Sequence, residues 1–240
     1  MNPSSQFKIA VIDSVPKIHW NDDEGVTDAE KFIDLLAPQN ERLKFDIFYA
    51  SENQFPESVN DYDGYMLTGS PCSVHDDFAW IARLAQFIVD ADKADKRIVA
   101  SCFAHQLVAK TFGGEVDKNE QGWMIGNYSL AITREFPWMQ PQLTRSGLFH
   151  FNKERVTRLP VGATSFADSE SYPDYGYTLG KNILCLQGHP EQPLRAMNNF
   201  LEACKAEIPP VEYQRARKMI DFGQPDADIW AQWMVLFFLD

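Results

Sequence analysis

The sequence predicts a three-layer, doubly wound α/β fold built on a mostly parallel sheet. Three observations predict it. Phe7-Lys8-Ile9-Ala10-Val11-Ile12-Asp13 and Ile183-Leu184-Cys185-Leu186 are near-continuous apolar runs of strand length, as expected of strands covered on both faces. Up to residue 114, strands of this kind alternate with segments of helical periodicity. Three predicted strands end at groups with chemistry to offer, Gly69-Ser70, Cys102 and His189-Pro190-Glu191. In doubly wound sheets, ligands bind beyond the carboxyl ends of the strands.

The first strand is Phe7 to Asp13. After a polar loop rich in Asp and Glu (Asn21 to Glu24), Ala29 to Leu36 spaces Phe32, Ile33, Leu35 and Leu36 as a helix does. Leu43 to Tyr49 alternates as a second strand, completing a β-α-β unit. Tyr62 to Thr68 reads as a third strand, closed by the breakers Gly69-Ser70-Pro71. Phe78 to Ala91 puts Trp80, Ile81, Leu84, Ala85, Ile88 and Val89 on one helical face. Arg97 to Ser101 is the next strand, Cys102 its corner, and the helix that follows runs toward Gly113-Gly114. Beyond this point Trp123 to Thr133 and Ala163 to Ser169 look like strands without intervening helices, which predicts antiparallel pairing in the second half. Helices are expected over Pro193 to Ala206, Val211 to Ile220 and Asp226 to Leu239. No repeat or linker divides the chain, so residues 1–240 read as one domain, with 205–240 a C-terminal helical extension.

The 240 residues include 34 acidic and 22 basic side chains, a formal charge of -12 that argues against nucleic acid and anionic membranes as partners. Cys72, Cys102, Cys185 and Cys204 are scattered, with no C-x-x-C pair, which fits a reducing cytoplasm better than a disulfide framework. The longest apolar stretch, Trp233 to Leu239, is far too short to span a bilayer.

Cys102 lies where a strand becomes a helix, and a helix N-terminus favours thiolate over thiol. A sharp corner of this kind needs small neighbours, and Ala100 and Ala104 supply them. The corner alone leaves two readings open, a nucleophile or a buried structural thiol. His189-Pro190-Glu191 decides between them. A nucleophilic cysteine needs a base, and the base needs an orienting group. A His-Pro-Glu tripeptide leaving a strand directs His and Glu to one side, with proline fixing the backbone between them.

Five segments together resemble the class I, triad-type glutamine amidotransferase family, and are similar to the stand-alone glutaminase domain of GMP synthase. They are Tyr62 to Pro71, Cys102-Phe103-Ala104-His105-Gln106, Phe112-Gly113-Gly114, Gly122-Trp123-Met124-Ile125-Gly126 and Leu186-Gln187-Gly188-His189-Pro190-Glu191. The resemblance implies a flavodoxin-like sheet and a Cys102, His189, Glu191 triad that cleaves a γ-glutamyl amide through a thioester. It also implies an oxyanion hole from the backbone N–H groups of Ser70 and Phe103, and substrate contacts from Gly69 and Gln106. It implies no cofactor. The sequence departs from the family at Ala100 and Ala104, where glycines are usual, and at Asn152-Lys153-Glu154-Arg155-Val156, where His-x-Asp-x-Val is common. No site role is assigned to that segment, and His105 and His150 are read as structural.

His19, His75 and the Asn21 to Glu24 loop lack metal-ligand spacing, so no metal site is expected. Cys72 and Cys185 are read as packed thiols. The aromatic C-terminal segment is read as a helix docked on the sheet, with a homodimer interface as the alternative. The leading function is hydrolysis of the glutamine γ-amide, with a separate synthetase or acceptor subunit as partner if ammonia is passed on. The rivals are a hydrolase of γ-glutamyl peptides or amines with the same triad, and a catalytically silent binding or regulatory protein of this fold.

Overall fold

The computed structural model describes residues 6–19, 25–169 and 173–240. The Asn21 to Glu24 loop lies outside them. The apolar runs become β1 (Phe7–Asp13), β2 (Leu43–Tyr49), β3 (Gly64–Leu67), β4 (Arg97–Ser101) and β11 (Ile183–Leu186). These five pair in parallel in the order β2-β1-β3-β4-β11. Side-chain alternation splits them between two layers. Ile9, Val11, Met66 and Val99 join the core beneath α1 (Asp28–Leu36) and α6 (Ala227–Leu239). Ala10, Ile12, Tyr65, Leu67 and Ile98 join the core beneath α2 (Ala79–Lys93) and α3 (Phe103–Thr111). Burial on both faces is why these strands lack polar alternation.

The second half continues the same sheet in antiparallel fashion. β10 (Gly176–Leu179), β9 (Ala163–Asp168), β6 (Met124–Ile132) and β7 (Arg145–Asn152) follow β11 in that order. β5 (Glu115–Lys118) and β8 (Glu154–Arg158) form a separate ribbon. β5, β7, β8 and β10 are absent from the sequence reading, and β3 is shorter than the Tyr62 to Thr68 expected. Antiparallel and edge strands carry mixed polarity, so the signal of a continuous apolar run is missing there.

α4 (Leu194–Ala203) and α5 (Pro210–Asp221) cover the antiparallel half through a third cluster that includes Phe149, Met197, Leu201 and Ile220. Close approach of α5 to β6 depends on Gly126, whose φ is +125° and where a Cβ would lie 2.3 Å from that of Met219. The C-terminal aromatic segment is α6, and Trp230, Trp233 and Phe238 are buried in the same core as Phe7 and Ile9. Among the described residues no helix is long and apolar enough to cross a membrane.

Candidate active site

Cys102 forms the N-terminal boundary of α3 with φ 50° and ψ -105°, a left-handed φ that L-residues rarely adopt. Such a conformation costs on the order of 1 to 3 kcal/mol and persists only where its surroundings enforce it. Two hydrogen bonds do so. The Cys102 N–H donates to Leu186 O on β11 (2.9 Å), and Cys102 O accepts from Gln106 N–H (3.1 Å), the first bond of the helix. The small neighbours expected from the sequence are both fully buried, Ala100 within β4 and Ala104 within the first turn of α3. The strained corner therefore exists without glycines on either side.

His189 leaves β11 and is held by its own N–H, which donates to Phe149 O on β7 (2.8 Å). Its Nδ1 lies 2.7 Å from Glu191 Oε1 across the intervening proline, and both side chains are buried. Burial of the ring opposes its protonation. The negative charges of Cys102 and Glu191, with hydrogen bonds to both, outweigh that and hold the His189 pKa well above the ordinary histidine value. The ring thus interacts with the Glu191 carboxylate and with the Cys102 sulfur. Gln187, to which the sequence assigns no role, donates from Nε2 to Cys102 Sγ (3.5 Å) and accepts from Gln106 Nε2 (3.0 Å).

Gly69 packs directly against this group. A Cβ there would lie 3.1 Å from His189 Cε1 and 3.5 Å from the Cys102 Cβ. The Ser70 and Phe103 N–H groups, predicted as oxyanion donors, have no protein acceptor among the described residues. For Phe103 this follows from its place as the first residue of α3. The Ser70 hydroxyl donates to Ser14 O (2.7 Å) and accepts from Cys72 N–H (3.2 Å), which fixes the loop. Gln106 is buried, and its Nε2 also donates to Glu154 O (2.8 Å).

Behind the carboxylate lies a polar network that the sequence does not announce. Gln192 Nε2 donates to Glu191 Oε1 (3.2 Å) and to Asp28 Oδ1 (2.8 Å), while Gln192 Oε1 accepts from Lys31 Nζ (3.0 Å). Lys31 also pairs with Asp28 (3.0 Å). Asp13, at the end of β1, accepts from the Val15 and Ala29 N–H groups (2.8 Å each). Burial first, and the Asp28 charge second, push its pKa up to about 7. His105 and His150 are buried against Tyr177 and Tyr175, ring centroids 4.9 Å apart in each pair. Burial lowers both pKa values to about 3, so both rings are neutral near pH 7. Cys185 is fully buried, where desolvation raises its pKa. Cys72 is half-buried and lines the cavity over Cys102 and His189.

A cavity of about 650 Å³ opens over Cys102 and His189. Its wall includes Ser70, Phe103, Gln106, Gln192 and Lys31, and also Asn152, Lys153 and Glu154, to which the sequence assigns no site role. Their only sequence signal is their place where His-x-Asp-x-Val is common in the family. Among the described residues no group of three or more His, Cys, Asp or Glu side chains could hold a metal ion. A thiol at a strained corner, a charge-stabilised imidazole and free backbone donors beside it form an arrangement suited to acyl transfer.

Residues 36–205 match the family described as Glutamine amidotransferase class-I. The chain belongs to that family. Gamma-glutamyl peptidase 4 of Arabidopsis thaliana is 30% identical over 167 residues, which cover 67% of this chain and 66% of that one. Gamma-glutamyl peptidase 3 of the same plant is 24% identical over 209 residues, 83% of each chain. A glutamine amidotransferase from Thermotoga maritima superimposes with a TM-score of 0.75 at 20% identity, covering 98% of this chain and 96% of that one, a likeness of fold. The protein is thus an enzyme of the class I amidotransferase type, on the mixed, mostly parallel sheet that the sequence predicts.

Proposed function

We propose that this class I amidotransferase-type protein hydrolyses γ-glutamyl amide bonds through a thioester on Cys102. The Cys102 thiolate attacks the γ-carbonyl carbon, and the oxyanion that forms accepts hydrogen bonds from the Ser70 and Phe103 N–H groups. His189, held by Glu191, gives its proton to the departing nitrogen as the C–N bond breaks. Water then attacks the thioester and passes a proton to His189, the C–S bond breaks to restore the Cys102 thiolate, and glutamate leaves. Gly69 and Gln106 border the bound γ-glutamyl group. One oxyanion donor is commonly worth about 3 to 4 kcal/mol of barrier.

The observation that carries the reading is the Cys102 corner, with φ 50°, beside an imidazole whose protonation is favoured by both Cys102 and Glu191. The test is release of glutamate from glutamine and from γ-glutamyl peptides, with Cys102→Ala alongside. No Cys102-dependent release from any of them would sink the proposal and leave the silent binding protein. A second reading, that the scissile bond belongs to a γ-glutamyl peptide, is supported by the cavity of about 650 Å³. Pockets of roughly 300 to 1,000 Å³ suit ligands well above the size of one amino acid. The names of the Arabidopsis relatives point the same way. The scattered spacing of Cys72, Cys102, Cys185 and Cys204, with no C-x-x-C pair, supports a reducing compartment such as the cytoplasm.

A further inference from the structure

One wall of the cavity has no evident use if ammonia is the leaving group. Met197 and Phe200 of α4 line it, together with Phe151 of β7 and Trp123 just before β6. The rings form a ladder: Phe200 meets Phe151 at 5.9 Å and Phe151 meets Trp123 at 5.5 Å, both edge to face. Ammonium groups stand at its two ends, Lys31 Nζ 5.4 Å from the Phe200 centroid and Lys153 Nζ 5.1 Å from that of Trp123. All three rings are only half-buried, whereas Phe149, two residues before Phe151 in the same strand, is packed away at 2% exposure. Three aromatic rings kept partly open inside one cavity form a surface suited to another apolar ring.

Chemistry decides which part of a substrate reaches them. The nitrogen that leaves takes its proton from His189, so whatever that nitrogen carries extends past the His189 side of the reacting carbon. The His189 N–H bonds to Phe149 O on β7, the strand that carries Phe151 two residues further on, and Phe200 of α4 meets Phe151 in the cavity wall. We propose that Phe200, Phe151 and Trp123 form a leaving-group subsite, and that the preferred substrates are γ-glutamyl compounds whose amine carries an aromatic side chain. The inference rests on the hydrolase reading for its catalytic consequence and on the cavity wall alone for its binding consequence. An aromatic ring on the amine covers the ladder and removes apolar surface from water on both partners, whereas an alanine methyl covers little of it.

The two consequences are tested separately with γ-glutamyl-phenylalanine and γ-glutamyl-alanine. Calorimetric titration of Cys102→Ala, which lacks the attacking sulfur, is expected to give a Kd at least tenfold lower for the phenylalanine compound. On the unsubstituted protein, kcat/KM is expected to favour the same compound by a similar factor, mainly through KM. Phe200→Ala should bring the ratio to within about twofold of one, and Phe200→Tyr should restore it. Should Phe200→Ala fail to fold, Trp123→Ala gives the same comparison at the other end of the ladder. Equal Kd values for the two compounds overturn the subsite, as does Cys102-dependent cleavage of both at equal kcat/KM, which leaves the hydrolase reading intact. A tenfold binding preference without cleavage of either compound keeps the subsite and, when glutamine too is left intact, sinks the hydrolase.

Discussion

The Nδ1 atom of His189 lies 2.7 Å from Oε1 of Glu191, and the same oxygen accepts a second hydrogen bond from Gln192 Nε2 at 3.2 Å. One buried oxygen thus ties the imidazole to a network that runs through Gln192 to Asp28 and Lys31 on α1. The ring is fixed from behind by residues far away in sequence.

Glu191→Gln tests this. The amide keeps the shape but removes the charge that helps to hold the His189 pKa high. The expected outcome is a fall in kcat of about 10² to 10⁴, by analogy with neutralising the acid of a Ser-His-Asp triad. The His189 ring should titrate at lower pH, as followed by NMR. A raised histidine pKa stabilises the fold fully below about pH 6.5, and the contribution is lost as pH rises through the folded value. The variant should therefore lose stability relative to the parent in acid to neutral solution, and the gap should close at high pH.

Gly69→Ala probes the opposite side of the ring. The added Cβ would lie 3.1 Å from His189 Cε1, closer than ordinary contact, so the imidazole must move by a few tenths of an ångström. A misplacement of about 1 Å can cost a factor of about 10² in rate, so a smaller shift here should lower kcat by about ten- to a hundredfold. Thermal unfolding should change little. Unaltered kcat would show that the ring is not positionally constrained by the Gly69 backbone.

Asp13 gives a pH signature independent of activity. Its pKa is pushed up to about 7 from 3.8 by burial and by Asp28, so the folded state binds the Asp13 proton more tightly than the unfolded state. This contribution is present in full below about pH 4 and is lost as pH rises through about 7. At about 1.4 kcal/mol per pKa unit, the loss amounts to at most a few kcal/mol. Asp13→Asn cannot ionise, so its stability should fall less between pH 5 and pH 8 than that of the parent, as measured by urea unfolding at each pH. Parallel declines would refute the assignment.

The parallel half of the sheet was legible because strands buried on both faces are written as unbroken apolar runs, as in Ile9 to Ile12 and Ile183 to Leu186. β7 was not, because it opens with Arg145-Ser146-Gly147 and mixes polar residues into an antiparallel pair. Within the site, Cys102, His189 and Glu191 stood out because their chemistry is coded locally, by a strand corner and a tripeptide. The hydrogen bond from Lys31 to Gln192 joins residues 161 positions apart, and it arises only when α1 docks beside the loop after β11. No local pattern encodes such a contact. Gln187 lies in the Leu186 to Glu191 segment, yet its bond to the Cys102 sulfur depends on the meeting of β11 with the corner after β4.

The corner itself supplies the last prediction. Glycines are usual on both sides of the nucleophile in this family, and their absence raises the question whether Ala100 and Ala104 limit the enzyme. Cys102 already holds φ 50° with both alanines in place. Ala100 lies in the middle of the sheet, paired with Leu67 on one side and Cys185 on the other, in a strand conformation that tolerates a Cβ. Glycine there would add backbone freedom to the unfolded chain and remove buried contacts. Ala100→Gly is therefore expected to cost about 1 kcal/mol of stability by chemical denaturation. The positive φ of Cys102 is enforced by its bonds to Leu186 and Gln106 and not by its neighbours' flexibility, so kcat should stay within about twofold of the parent. A rise of tenfold or more would mean that the alanines hold the corner away from its best geometry.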